Sequence, residues 1–305
     1  MRMRIKPLLL IALALSASAE DIVMEDQSQI VTGAVVGAGV HDFRPPLESA
    51  LSDNAYGKLV QEGRAVFVDT RNRAPEFVGN GLACANCHLE QGRKANSAPL
   101  WAAYTMYPAY RSKNDRVNSY VERIQGCFQF SMNGTAPPAD GPVIAALSAY
   151  SYWLATGAPT GQELPGRGYP AVPEPSDGYD LVQGEQIYAS QCAVCHGDNG
   201  QGQKSGDDYV FPPLWGADSF NWGAGMHRIN TAAAFIKESM PLGKGGSLSD
   251  AQAWHVAAYM NSHERPQDPR LIDGSVEKTR DKYHANDGEN LYGKTVNGQM
   301  LGKGM

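Results

Sequence analysis

The sequence predicts an all-α protein built as two tandem helical units with long loops. Three observations predict it: no stretch keeps up strand alternation, each half closes with a helix of apolar residues at helical spacing, and a short repeat opens both halves. A chain of 305 residues is long enough for about two domains. Residues 1–19 read as a signal peptide: Arg2, Arg4 and Lys6 precede an apolar run from Leu8 to Leu15, and Ala17-Ser18-Ala19 offers cleavage after Ala19. The expected location is therefore periplasmic. Residues 20–158 form the first unit, opened by Leu59-Val60-Gln61 and closed by a helix from Pro142 to a stop at Gly157, with Val143, Leu147, Tyr150 and Leu154 on one face. Residues 159–178 read as a linker, since the run from Gly157 to Gly178 holds five prolines and five glycines. Residues 179–265 form the second unit. It opens on Leu181-Val182-Gln183 and closes with a helix that Ser249 and Gln252 cap, carrying Ala253, Val256, Ala257 and Met260 as its apolar stripe. The tail, 266–305, is polar and glycine-rich; it either wraps the surface or is disordered, and periodicity does not decide.

A formal charge of -6 argues against a nucleic-acid partner. No segment after the leader approaches about 20 apolar residues, so the chain is not expected to span a membrane. Two runs then carry the chemistry, Cys84-Ala85-Asn86-Cys87-His88 and Cys192-Ala193-Val194-Cys195-His196. Each places two thiols to add across the vinyl groups of one haem and a histidine to bind its iron. Two covalently bound haem c groups follow, attached through Cys84, Cys87, Cys192 and Cys195, with His88 and His196 on iron. Each unit then reads as a class I cytochrome c-like domain. A zinc or disulfide-exchange role is remote because both runs carry the adjacent histidine. For the second iron, Met240 in AAAFIKESMPLG resembles the distal loop of class I cytochromes c, with Met226 and His227 as runners-up. For the first, Met106, Cys127 and Met132 are the sulfur donors downstream of His88. Cys127 is left over, and a free cysteine is more often a small buried hydrophobe than a ligand.

The surroundings of Cys127, YPAYRSKNDRVNSYVERIQGCFQFSMNG, together with VGNGLACANCHLEQGRKANSAPLWAAY, YVFPPLWGADSFNWGAGM and FIKESMPLG, resemble the dihaem thiosulfate dehydrogenases over roughly residues 50 to 265. The resemblance implies an enzyme joining two thiosulfate ions into tetrathionate. It implies His88 and Cys127 as axial ligands of a catalytic haem 1. His196 and Met240 would serve haem 2, the electron exit to a soluble cytochrome c or similar acceptor. The Arg-Ile-x-x-Cys-x-x-x-Ser-Met-Asn-Gly context puts Arg123, Cys127 and Ser131 at the reaction centre. The resemblance further implies that the Cys127 thiolate, off the iron, holds one thiosulfate-derived sulfur. Two dianions that must meet need fixed cations, which Arg93, Lys94, Arg111, Lys113, Arg116 and Arg123 offer. The plain alternative for that run is a solvated basic face. Arg123 stands four residues before Cys127 and shares its face on a helix; Arg111 and Lys113 complete the expected catalytic set. Two departures stand out: Phe130 where family members often have arginine, and Lys113 where an arginine is expected, both weakening bidentate anion binding. The rival readings are a non-enzymatic dihaem electron carrier with Met106 or Met132 on the first iron, and an oxidoreductase for a related sulfur compound.

Overall fold

The computed structural model describes residues 43–305. The expected signal peptide and its cleavage after Ala19 lie outside the described residues. Among the described residues, seven principal helices carry the all-α fold, and the strands, two to four residues long, pair into three hairpins. Helix α1 (Ala55–Val68) starts where Asn54 accepts from the Gly57 amide. Helix α2 (Tyr120–Gly126) is opened by a capping box: Ser119 Oγ accepts from Glu122 N at 3.2 Å, and the Glu122 carboxylate accepts from Ser119 N at 2.7 Å. Helix α3 (Pro142–Leu154) begins on its proline, and Gly157 follows with φ +84°. Helices α4 (Leu181–Gln191), α5 (Ile229–Ser239) and α6 (Asp250–Asn261) form the second group, with Ser249 and Gln252 capping α6 reciprocally.

The packing is set by two close crossings, α1 on α3 and α4 on α6, with α5 also against α6. Each crossing passes over a glycine. A Cβ on Gly63 would lie 2.0 Å from the Ala146 carbonyl oxygen and 2.8 Å from Tyr150 Cβ, and one on Gly184 would lie 2.2 Å from the His255 carbonyl oxygen. These glycines set the structural repeat. Aligned on them, Phe67 matches Tyr188 and Val60 matches Leu181, so the Leu-Val-Gln match read from the sequence is one residue out of phase. One buried apolar cluster runs through both groups.

The proline- and glycine-rich run between the groups is built into the fold. Leu164 is buried, the Gly166 and Gly168 carbonyls accept from Asn96 N and Ala98 N at 2.6 and 2.8 Å, and Trp254 Nε1 donates to the Val172 carbonyl. Beyond Pro266 the chain is ordered by burial of Asp268, His284, Tyr292 and Leu301. It forms α7 (Val276–Tyr283) and a hairpin, Thr295–Val296 with Gln299–Met300. Its polar composition hid this packing, because much of it is hydrogen bonding; Glu264, just ahead of it, accepts from Trp222 Nε1 and Gly302 N.

Because each glycine Cβ would meet backbone rather than a movable side-chain tip, Gly63→Ala or Gly184→Ala forces the helices apart. Each is expected to lower stability by about 1–3 kcal/mol, read by urea denaturation followed by circular dichroism. An unchanged midpoint would show that the crossings are not tight.

Candidate functional site

Two cavities meet beneath α2. The first, about 280 Å³, is lined by Cys84, Cys87, His88 and Cys127, with Met106 and Met132 also on its wall. The histidine is held by its other nitrogen: His88 Nδ1 donates to the Ala98 carbonyl at 2.7 Å, leaving Nε2 with its lone pair. Burial pulls the His88 imidazolium down to about 4, so the ring is neutral at ordinary pH. Burial likewise pushes Cys84 and Cys87 up to about 12. An apolar cavity with paired thiols at one edge and a neutral imidazole aimed into it fits a haem.

At the second motif, His196 Nδ1 donates to the Pro212 carbonyl at 2.9 Å, the same tautomer as His88. Burial lowers His196 and raises Cys192 to about 11. Met240 is the residue that ends α5, partly buried against the core. Of its runners-up, Met226 lines the first cavity instead. His227 is fully buried with Nδ1 on the Ala224 carbonyl and Nε2 beside His284.

Helix α2 runs straight into a π-turn, Cys127–Ser131. The Cys127 amide donates to the Arg123 carbonyl, and the Met132 amide to the Cys127 carbonyl five residues back, at 2.9 Å. This wider turn puts Arg123, Cys127 and Ser131 on the wall of the first cavity together with Arg111. Arg111, Arg123 and Ser131 also line the second cavity, of about 430 Å³. Cys127 is the main influence raising the Arg123 guanidinium.

The second cavity is basic. Arg111, Lys113, Arg116 and Arg123 come from the segment singled out in the sequence, while Arg93 and Lys94 turn elsewhere: Arg93 stacks on Trp153, and Lys94 reaches Ser239. Two further cations, Arg228 and Arg270, come from the C-terminal half and escaped sequence reading. Arg228 follows Met226-His227 and could have been suspected from that string; Arg270 lies in the polar tail and had no local signal. The cavity's carboxylates are Glu122, paired with Arg116 at 2.7 Å, and Asp287, paired with Arg228 at 3.2 Å. Phe130, at the expected arginine position, is a platform: Lys113 Nζ sits 4.3 Å and Arg270 Cζ 5.0 Å from its ring centre. Lys113 Nζ also donates to the Gly223 carbonyl. Burial, then Arg270, pulls Lys113 down to about 7.

The two candidate iron sites touch through a loop. Asn96 Nδ2 donates to Glu238 and Lys94 Nζ to Ser239, the two residues before Met240. Tyr169 links the same parts, its hydroxyl on the Cys87 carbonyl and its ring against Phe235 of α5.

Comparison with known proteins agrees with this geometry. Residues 180–260 match the family model of cytochrome c oxidase, cbb3-type, subunit III. The chain is 75% identical over 289 residues to the thiosulfate dehydrogenase of Stutzerimonas stutzeri (strain A1501), covering 95% of this chain and 94% of that one. It is 50% identical to that of Thiomonas intermedia (strain K12), covering 95% and 91%. It superposes with a TM-score of 0.83 and 49% identity on the thiosulfate dehydrogenase (TsdBA) of Marichromatium purpuratum in its as-isolated form, covering 86% of this chain but only 58% of that longer one. Among the described residues no helix is long and apolar enough to cross a membrane. With a haem c fold of the cytochrome c type and relatives this close along nearly its whole length, the chain belongs to the thiosulfate dehydrogenase family of oxidoreductases.

Proposed function

We propose that this chain is a periplasmic, two-domain, dihaem c-type cytochrome that oxidises two thiosulfate ions to tetrathionate. Two S₂O₃²⁻ become one S₄O₆²⁻ as a sulfur–sulfur bond forms and two electrons leave for an external acceptor such as soluble cytochrome c; two bound haems, one at each motif, would supply the redox chemistry between them. One observation carries this reading: the basic cavity and the cavity of the first Cys-x-x-Cys-His motif share Arg111, Arg123 and Ser131 as a common wall. A plain electron carrier has no use for a second, cation-lined cavity opening beside its iron ligand.

When bound, haem supplies a one-electron acceptor at each motif. Cys84 with Cys87, and Cys192 with Cys195, would hold the two groups; His88 with Cys127, and His196 with Met240, would bind their irons. Arg111 and Arg123 offset the charge of an anion drawn toward Cys127, in a cavity where partial burial strengthens each interaction. Ser131 offers a hydroxyl donor at the same wall. Lys113 adds charge deeper in the basic cavity. The loop from Arg93 to Ala98 braces His88 and touches the end of α5 before Met240, which supports short passage between the two groups.

Cys127→Ala is expected to keep both haems, seen in the pyridine haemochrome spectrum, and to abolish thiosulfate oxidation. Near-wild-type turnover in that variant removes Cys127 from the reaction, whereas absence of thiosulfate oxidation by the wild-type chain sinks the enzymatic reading and favours the carrier with Met106 or Met132 on iron. The pH dependence follows from Lys113, whose pKa is lowered to about 7: it is charged below that value and neutral above. So kcat/KM for thiosulfate should fall about tenfold or more as pH rises from about 6 to 9, the loss of one charge-assisted hydrogen bond. Lys113→Arg, charged throughout, should flatten the profile; a wild-type profile already flat over that range rules Lys113 out as an anion contact.

A further inference from the structure

Resting on the reading above, we propose that Arg270, together with Arg228, forms a second anion subsite in the basic cavity. It would receive the thiosulfate that is not beside Cys127, and so would determine specificity for a two-anion reaction. Arg270 is delivered by the tail beyond Pro266 and lies on the wall of the same 430 Å³ cavity as Arg123.

Its guanidinium is built in rather than splayed. Nε and Nη2 donate to the two Asp268 oxygens at 2.9 and 2.6 Å, and Nη1 donates to the Lys113 carbonyl at 3.2 Å. Its plane is sandwiched, with Cζ 4.3 Å from the Tyr283 ring centre and 5.0 Å from that of Phe130. Asp268 is fully buried and fixed in turn, accepting from His284 Nε2 at 2.9 Å. The other ring nitrogen of His284 lies 3.1 Å from His227 Nε2, and Asp287 beyond it pairs with Arg228. A buried chain of side chains therefore sets both arginines on one wall. Of the five N–H donors of Arg270, three are used and two have no partner among the described residues. Two free donors on a rigid, largely buried fork suit a sulfonate.

The sharing of walls divides the work. Arg111, Arg123 and Ser131 border both cavities and so serve the anion beside Cys127. Arg228 and Arg270 line the basic cavity alone. Joining two dianions requires both to be held at once, and the first group of cations cannot neutralise both.

The test uses full-length, haem-loaded protein. Arg270→Gln should raise KM for thiosulfate about tenfold, with kcat changed much less. In the Cys127→Ala background, Arg270→Gln should weaken tetrathionate binding by calorimetry to a similar degree. If Arg270 is merely structural, the variant melts earlier but KM and tetrathionate affinity stay as they were, which overturns the inference. If Arg270→Gln does not fold, Arg270→Lys is read instead: it keeps the charge but loses the planar fork, so KM should still rise several-fold, and an unchanged KM is equally fatal. Failure of the underlying reading looks different, because it shows as no thiosulfate oxidation by the wild-type chain, or as turnover by Cys127→Ala, whatever stands at position 270.

Discussion

Six cationic side chains face one cavity, and their mutual repulsion is the constraint around which the rest is arranged. Two like charges 4 Å apart repel by about 4 kcal/mol at the effective dielectric near a protein surface. The fold answers by interleaving carboxylates: Glu122 on Arg116, Asp287 on Arg228, Asp268 on Arg270. It also places a neutral ring, Phe130, between two of the cations. Phe130 presents its face to both Lys113 and Arg270. A ring face attracts cations without adding charge, so the residue that looked like a loss of anion binding holds two cations in place. Burial, and then the same crowding, brings Lys113 down to about 7.

How much of this could be read in advance depended on whether the signal was local. The motifs at Cys84 and Cys192 are local, and so are the proline start of α3 and the Ser249–Gln252 box of α6; all are visible in a few consecutive letters. The Ser119–Glu122 box was equally local, and it fixes the start of the helix that delivers Arg123. The repeat was read one residue out of phase because Leu-Val-Gln is the more obvious string, whereas the helix crossings select glycine. Arg123 and Cys127 do follow one another by a helical turn, but the π-turn that then swings Ser131 to the same wall has no sequence signature. Arg270 was illegible for a different reason. Its position depends on Asp268, His284 and His227, residues brought together across the fold rather than along the chain.

The segment from Gly157 to Gly178 shows how composition misleads about role. Proline and glycine mark it as a connector, yet its carbonyls hold Asn96 and Ala98 in left-handed backbone, with φ +62° and +47°. The Ala98 carbonyl in turn fixes the tautomer of His88. A connector thus reaches the histidine of the first motif through two hydrogen bonds, and Tyr169, on the same run, reaches the Cys87 carbonyl. Altering this stretch changes the setting of that histidine, not only the tether between helical groups.

Chain order gives the tail a further meaning. Both thiol–histidine motifs and all helices of the two crossings precede Ser262, whereas Asp268, Arg270 and His284 come after it. The last wall of the basic cavity is thus encoded downstream of everything that forms the two crossings. Shortening the chain after Ser262 would remove that wall, Arg270 and Asp287 included, while leaving every residue of both motifs and both crossings in place.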